Sequence, residues 1–317
     1  MSSIDLRVLR YFVAVAEEGH LTKAAQRIGI QQPPLSQQIR ALENDLGVSL
    51  FKRLPRGMEL TDSGRALLVD AKTILAQVEA SIAGVRRIAQ GERGRLALGF
   101  TESAALQAFI PAVIRAFRQI APEVALTVEE SNTTELVDAL RQKRLEVAFI
   151  RSPVGNAEGL KTETMLVEKM ILALPATHAL AGKASDKDGK RGTARKSVAL
   201  AALGEEKFIL NRRPSGPGLY DTIIAACHVA GFSPQVVQEA RKNLSTLSLV
   251  AAGLGIAIIP ASMRHVTLAE VVYLEITDAP DLHAPLYLAY LDAPLSGAAQ
   301  RLIEQARQCR LALPHQK

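Results

Sequence analysis

The sequence predicts an α/β protein that opens with a winged helix-turn-helix and continues through one long helix. Three observations carry that reading. Short amphipathic helices joined by tight turns fill the N-terminal segment, an apolar seven-residue repeat follows, and from Arg95 strand and helix patterns alternate. Alternation of that kind builds layers of helices on a largely parallel sheet.

Residues 5–18 form the first expected helix, with Leu6, Leu9, Phe12, Val13 and Ala16 on one face and Gly19 to stop it. Thr22 is placed to cap a second helix that ends at Gly29. The third begins at Pro33-Pro34, where a proline costs no hydrogen bond because the first N–H groups of a helix have no partner. Leu35, Ile39, Leu42 and Leu46 give it a buried stripe, and Ser36, Gln37, Gln38 and Arg40 leave its other face polar. "VSLFKRLPRGMELT" then folds as a β-hairpin wing with a basic turn.

Thr61 caps a helix that runs to about Ala89. Leu68, Leu75, Ile82 and Ala89 hold one heptad position, and Ala71, Val78 and Val85 the other. A stripe this narrow requires a partner helix, so the segment is expected to dimerise the chain. Beyond it, strands are expected at 95–100, 124–130, 146–150, 169–174, 207–211, 235–238, 255–259, 271–276 and 285–291. Helices fall at 104–120, 133–143, 217–230, 243–253 and 294–311. The polar stretch 183–196 is a solvated loop.

Composition narrows the function classes. Trp is absent and aromatics are 4%, so the cores are aliphatic. No continuous apolar run is long enough to span a bilayer, and the N-terminus lacks the pattern of a signal peptide, so a cytoplasmic protein without membrane contact is expected. Cys227 and Cys309 fit no metal-ligand spacing and are expected to stay reduced. Net charge is +6, but residues 183–196 alone hold six Lys/Arg against two Asp/Glu, so the total says little about nucleic acid. No nucleophile elbow, phosphate-binding glycine loop or paired-histidine motif is present, so neither catalytic residue, metal nor cofactor is expected.

The order of these elements resembles the LysR-type transcriptional regulators over essentially the whole chain. The sharpest part is "LRYFVAVAEEGHLTKAAQRIGIQQPPLSQQIRALENDLGVSLFKRLPRGMELTDSGRALL". "LEVAFIRSP", "FSPQVVQEA" and "LVAAGLGIAIIP" are similar to the family's effector domain. The resemblance implies a two-lobed α/β effector domain like that of periplasmic ligand-binding proteins, and dimers paired into tetramers. It divides the chain into a DNA-binding domain at 1–60, a coiled-coil linker helix at 61–91 and an effector domain at 92–317. Lobe I then covers about 92–167 and 269–317, and lobe II about 168–268. Two positions depart from the family's habit: Gln31 stands where Ser is common, which removes a good cap, and Gln37 where Arg is common.

For a DNA-binding helix-turn-helix, the third helix lays its N-terminal half in the major groove, where glutamine can pair with adenine. Gln31, Gln32, Ser36, Gln37 and Gln38 cluster there, with Pro33, Pro34 and Arg40 beside them. Arg53 and Arg56 on the wing, and Thr22 and Lys23 at a helix start, suit phosphates or the minor groove. The expected partner is a double-stranded DNA operator.

At the effector end, ligands of open α/β sheets lie beyond the carboxyl ends of strands. Thr101, Glu102 and Ser103 follow the first strand, Asn132, Thr133 and Thr134 the second, and Arg151 the third. Hydroxyls at helix starts with one Arg favour a small carboxylate, and Glu102 disfavours a dianion. Ser103 and Thr133 are expected to face each other across the cleft, near Arg151. The resemblance places the effector between the lobes, and the branch governing aromatic catabolism implies an aromatic acid or its breakdown product. From the second lobe, Phe208, Asn211 and Arg212 would close the site. RNA polymerase is a partner if the protein activates. The competing readings are a constitutive DNA-binding regulator with a vestigial cleft, and an enzyme on a two-lobed fold.

Overall fold

The computed structural model describes residues 4–55, 57–152, 159–182, 197–211 and 218–312. Arg56, Arg212 and the basic loop 183–196 lie outside the described residues. The chain divides into two compact units, Met1–Arg87 and Ile88–Lys317. The long helix thus groups almost entirely with the N-terminal unit.

In that unit α1 (Leu6–Glu18), α2 (Leu21–Ile28) and α3 (Gln32–Leu46) precede the hairpin β1 (Phe51–Leu54) and β2 (Gly57–Leu60), and α4 (Asp62–Ala89) follows. Gly19, Gly29 and Gly47 close the three short helices in the left-handed conformation. The second helix starts two residues earlier than expected. His20 is its cap, with Nδ1 accepting from the Thr22 N–H at 3.3 Å, and Thr22 sits inside the first turn. Gln31 does precede α3 without a side-chain cap bond.

Phe12, Leu35, Ile39, Leu42 and Leu50 form the core of this unit, with Phe12 against Phe51 at a centroid distance of 5.4 Å. Leu46 leaves the apolar stripe at the helix end and is 37% exposed. The Glu43 carboxylate accepts the N–H groups of Leu50 and Phe51 at 2.8 and 3.1 Å, which fixes the wing to α3. At the other end of the wing Met58 N–H donates to Gly19 O at 2.7 Å. Gly57 makes this approach possible, since it has φ of 129° and a Cβ there would lie 2.6 Å from Gly19 O. Thr61 caps α4 as expected, with Oγ1 accepting from Gly64 N–H at 3.0 Å.

The heptad of α4 is not one continuous free seam. Ala71 is buried, and Leu67, Leu68 and Leu75 pack on the core of their own unit. Of the heptad residues, Ile82 (41%) and Val85 (68%) further along are exposed, and outside the heptad Val69 (66%), Ile74 (44%) and Ile88 (55%) are exposed as well.

The second unit begins with β3 (Arg93–Phe100), α5 (Glu102–Ala105), α6 (Phe109–Ile120), β4 (Glu123–Glu130), α7 (Thr133–Arg141) and β5 (Val147–Ile150). The helix expected over 104–120 breaks in two because Pro111 cannot donate to the preceding turn, so α6 restarts just before it. Then come β6 (Leu160–Pro175), β7 (Ser197–Val198), β8 (Lys207–Asn211), α8 (Leu219–Val229), β9 (Gln235–Ala240) and α9 (Asn243–Ala251). The last elements are β10 (Ala257–Pro260), β11 (Val271–Ile276), β12 (His283–Leu291) and α10 (Gly297–Ala312).

β6 joins two lobes. Its first part pairs with β12 and its last part with β10 and β11. In the eight-stranded sheet the β3–β4 and β3–β5 pairs are parallel, whereas β12 runs antiparallel to β5 and β6, and β6 antiparallel to β10 and β11, so that sheet is mixed; β8 and β9 form a separate parallel pair. The first-lobe core packs Leu96, Leu98, Phe149 and Leu288 under α6 and α10. The second-lobe core includes Leu172, Phe208, Leu274 and Leu282. Because β11 and Leu282 belong to that second core, the chain returns to lobe I near His283, not near residue 269.

Candidate functional site

The outer face of α3 is open. Gln31, Gln32, Pro33, Pro34, Gln37 and Arg40 are exposed, and Ser36 and Gln38 are half-buried, while Leu35 and Ile39 hold the helix on the core. None of these polar side chains has a partner among the described residues. Thr22, Lys23 and Arg53 are exposed too. Other basic groups nearby are committed to the domain itself, Arg27 bonding Glu17 and Glu18 at 2.9 and 3.2 Å and Lys72 bonding Glu17 at 2.7 Å, while Lys52 on β1 is exposed. Lys72 and Arg27 hold the Glu17 carboxyl below its ordinary range. The structure thus separates basic residues that brace the domain from an uncommitted set on α2, α3 and the wing.

In the second unit the strand ends of β3, β4 and β5 open into a cavity of about 320 Å³ between the lobes. Thr101, Glu102, Ser103, Asn132, Thr133 and Arg151 line it from lobe I, and Asn211 from lobe II, together with Ser152, Arg241, Lys242 and Asn243. Thr134 is exposed and outside this lining. Phe208 is a correction: it is fully buried in the second-lobe core, 6.1 Å from Phe232 by ring centroids, and cannot close a site. A second correction concerns Ser103 and Thr133. They belong to one lobe, side by side, because β3 and β4 pair in parallel and end together at Phe100 and Glu130.

Several of these groups already have partners. Arg151 is 4% exposed, and its Nη2 donates to Glu168 Oε1 at 2.6 Å and to Ser103 O at 3.0 Å. Its Nε donates to Ser103 Oγ at 3.3 Å and its Nη1 to Ala284 O at 3.1 Å. Burial lowers the guanidinium's hold on its proton, and Glu168 offsets that only in part. The charge of Arg151 is therefore balanced within the protein. Glu168 also accepts Ser262 N–H at 2.7 Å.

Asn132 caps α7, accepting Glu135 N–H at 3.0 Å. The Ser131 hydroxyl and Asn132 hold the Glu135 carboxyl below its usual value. Asn211 donates to Asn243 Oδ1 at 2.6 Å and accepts the Thr246 hydroxyl at 2.8 Å. Thr101 Oγ1 is buried with no partner among the described residues.

Both units match known families. Residues 6–65 match the bacterial regulatory helix-turn-helix protein, lysR family, and residues 89–310 match the LysR substrate binding domain. The chain belongs to the LysR family of bacterial transcriptional regulators. It is 35% identical to the HTH-type transcriptional regulator BudR of Raoultella terrigena over 301 residues, covering 95% of this chain and 99% of that protein. The HTH-type transcriptional regulator BenM of Acinetobacter baylyi (strain ATCC 33305 / BD413 / ADP1) is 32% identical over 305 residues, covering 96% of each. The crystal structure of CbnR, a LysR family transcriptional regulator, superposes with a TM-score of 0.77 at 28% identity, covering 96% of this chain and 100% of that one. CbnR has also been solved in complex with its target DNA, and that structure matches with a TM-score of 0.76.

As a LysR-type regulator the chain is a DNA-binding transcription factor with an effector-binding domain, and not an enzyme. Among the described residues no helix is long and apolar enough to cross a membrane. Cys227 and Cys309 are free thiols, and burial pushes Cys227 up to about 11. Sequence reasoning missed Arg241, Lys242, Asn243, Ser152 and Glu168. The first three follow a strand end just as Thr101 does, so the rule applied to β3 would have found them at β9. Glu168 carried no such signal, since it sits in the stretch of β6 that alternates polar and apolar residues.

Proposed function

We propose that this LysR-type regulator binds a small monocarboxylate in the cleft between its lobes and that the ligand alters operator binding or activation. The supporting observation is the Thr101 hydroxyl, buried and unpartnered in the cleft wall. A buried hydroxyl without a hydrogen bond costs about 1–3 kcal/mol, and a ligand oxygen would recover it. Ser103 and Thr133 stand beside it, and Arg241 and Lys242 supply positive charge from the second lobe. Glu130 and Glu135 line the same space and disfavour a dianion. An aromatic acid or its breakdown product fits this description.

On this reading the exposed faces of α3 and the wing hold the operator, the protein works in the cytoplasm as dimers paired into tetramers, and RNA polymerase is the partner when it activates. The test is a thermal-shift screen of monocarboxylic and dicarboxylic acids on the full chain, followed by gel-shift assays with DNA flanking its own gene. A monocarboxylate should raise the melting temperature and change the shifted complex, and the Thr101→Val protein should lose both responses. A chain that shifts DNA but responds to no acid across the panel is a constitutive regulator.

A further inference from the structure

Glu102 does something in this cleft that an effector-binding residue need not do. It belongs to the first turn of α5 in lobe I, yet its carboxylate accepts the backbone N–H of Asn243 at 2.8 Å and that of Leu244 at 3.4 Å in lobe II. The Asn243 side chain donates to the same carboxylate at 3.4 Å. These are the first residues of α9, whose own cap residue, Lys242, makes no side-chain cap bond. The cap of α9 is thus provided from the opposite lobe, 141 residues away in sequence. A carboxylate at a helix N-terminus satisfies donors that have no partner within the helix and meets the positive end of the helix dipole. Asn211 Nδ2 donates to Asn243 Oδ1 at 2.6 Å, which orients the receiving side.

We propose that Glu102 is a tethered stand-in for the effector's carboxylate: it latches the two lobes together at the start of α9, and an anionic effector must displace it there. The buried, unpartnered Thr101 hydroxyl beside it marks the same end of the cleft as able to take a further oxygen. When Glu102 leaves, the α9 N–H groups lose their acceptor until the effector supplies one. The latch therefore raises the concentration at which a carboxylate is sensed. It also selects effectors whose remaining groups repay the exchange, because the carboxylate alone replaces like with like. The displacement half of the proposal rests on the cleft being the effector site.

The experiment compares the full-length protein with its Glu102→Ala and Glu102→Gln variants. Amide exchange is measured over residues 241–246, with the Asn132-capped first turn of α7 as internal control. Without any acid, Glu102→Ala should speed exchange at Asn243 and Leu244 about tenfold or more and leave α7 unchanged. Glu102→Gln, which keeps a neutral acceptor, should fall between. Unchanged exchange at α9 in both variants overturns the latch. Calorimetry with sodium benzoate and sodium acetate then tests displacement: affinity should rise about tenfold in Glu102→Ala. Equal affinity in wild type and variant overturns the displacement. Failure of both acids to bind any of the three proteins counts against the carboxylate reading itself, while the exchange data still decide the latch.

Discussion

Arg151 and Glu168 form a buried ion pair, with Nη2 and Oε1 2.6 Å apart and side chains 4% and 6% exposed. The pair joins the end of β5 to the strand that links the lobes, and through Ser262 it reaches the turn after β10. Removing one member of such a pair leaves the other charge buried, which costs about 3–5 kcal/mol. Glu168→Gln should therefore lower stability against urea by an amount in that range. A double change of Arg151→Met with Glu168→Leu should cost much less than the two single changes together. Additive losses would show that the two groups act independently. A consequence for ligand assays is that Arg151 variants report on folding as well as binding.

The contrast between Arg151 and Ser103 shows how far the sequence could be read. Strand ends were legible because an apolar run followed by hydroxyls and a helix pattern is a local signal, and Thr101, Glu102, Ser103, Asn132 and Thr133 all line the cleft. The winged unit was legible for the same reason, since caps and turns are decided by neighbours in sequence. What each strand-end side chain bonds to was not legible. Arg151 meets Glu168, and Glu102 meets Asn243, across pairings that only the tertiary fold creates. The first half of β6 escaped because "LKTETMLVE" is polar on one face and rests on β12 for its hydrogen bonds. Phe208 misled because a run of consecutive buried residues in β8 gives no clue to which face meets the cleft.

The position of the free apolar stripe on α4 predicts a division between two kinds of variant. Leu75 packs on its own domain, whereas Ile82 and Val85 are exposed and belong to no apolar core among the described residues. A double change of Ile82 and Val85 to Lys should dissociate the oligomer, because like charges would then meet across a two-fold seam. It should leave the melting of the N-terminal domain within about 0.5 kcal/mol of wild type, as surface changes do. Leu75→Lys should instead unfold that domain. Sedimentation velocity with thermal melts separates the two outcomes. An unchanged oligomer in the Ile82/Val85 variant would place the seam elsewhere.

A pH dependence follows from Glu163 on β6. Arg307 of α10 donates to it at 2.6 and 3.0 Å and holds its carboxyl below the ordinary glutamate value, with the Tyr290 hydroxyl adding to the effect against the opposing pull of burial. A carboxyl whose folded value is depressed stabilises the fold above its unfolded value, near 4.3. That contribution is lost as pH falls through the folded value. Glu163→Gln should therefore be less stable than wild type at pH 7, by about 1 kcal/mol or less because Arg307 is partly exposed. The gap should begin to narrow as pH falls below the unfolded value and close once pH is below the depressed folded value. Melting curves at pH values from 7 downward give the answer, and a gap that does not narrow as pH falls would mean the bond matters for its geometry and not its charge.

Gln32 and Arg53 should fail in different ways on DNA. Gln32 opens the first turn of α3 and is exposed, with its amide unpartnered among the described residues, so it is free to make two bonds to one adenine edge. Gln32→Ala should cost about 1–3 kcal/mol on the preferred operator and almost nothing on sequences altered at that base pair. Arg53 sits on β1 of the wing, exposed and opposite Met58, and on the proposed reading it holds a phosphate. Arg53→Ala should weaken all sequences alike and reduce the slope of log affinity against log salt by about one. The measurement is a salt titration of both variants on the operator and on a set of single base-pair changes. If both lose affinity uniformly and with the same change in salt slope, then Gln32 holds the backbone as well, and base readout must come from Ser36, Gln37 or Gln38 further along the helix.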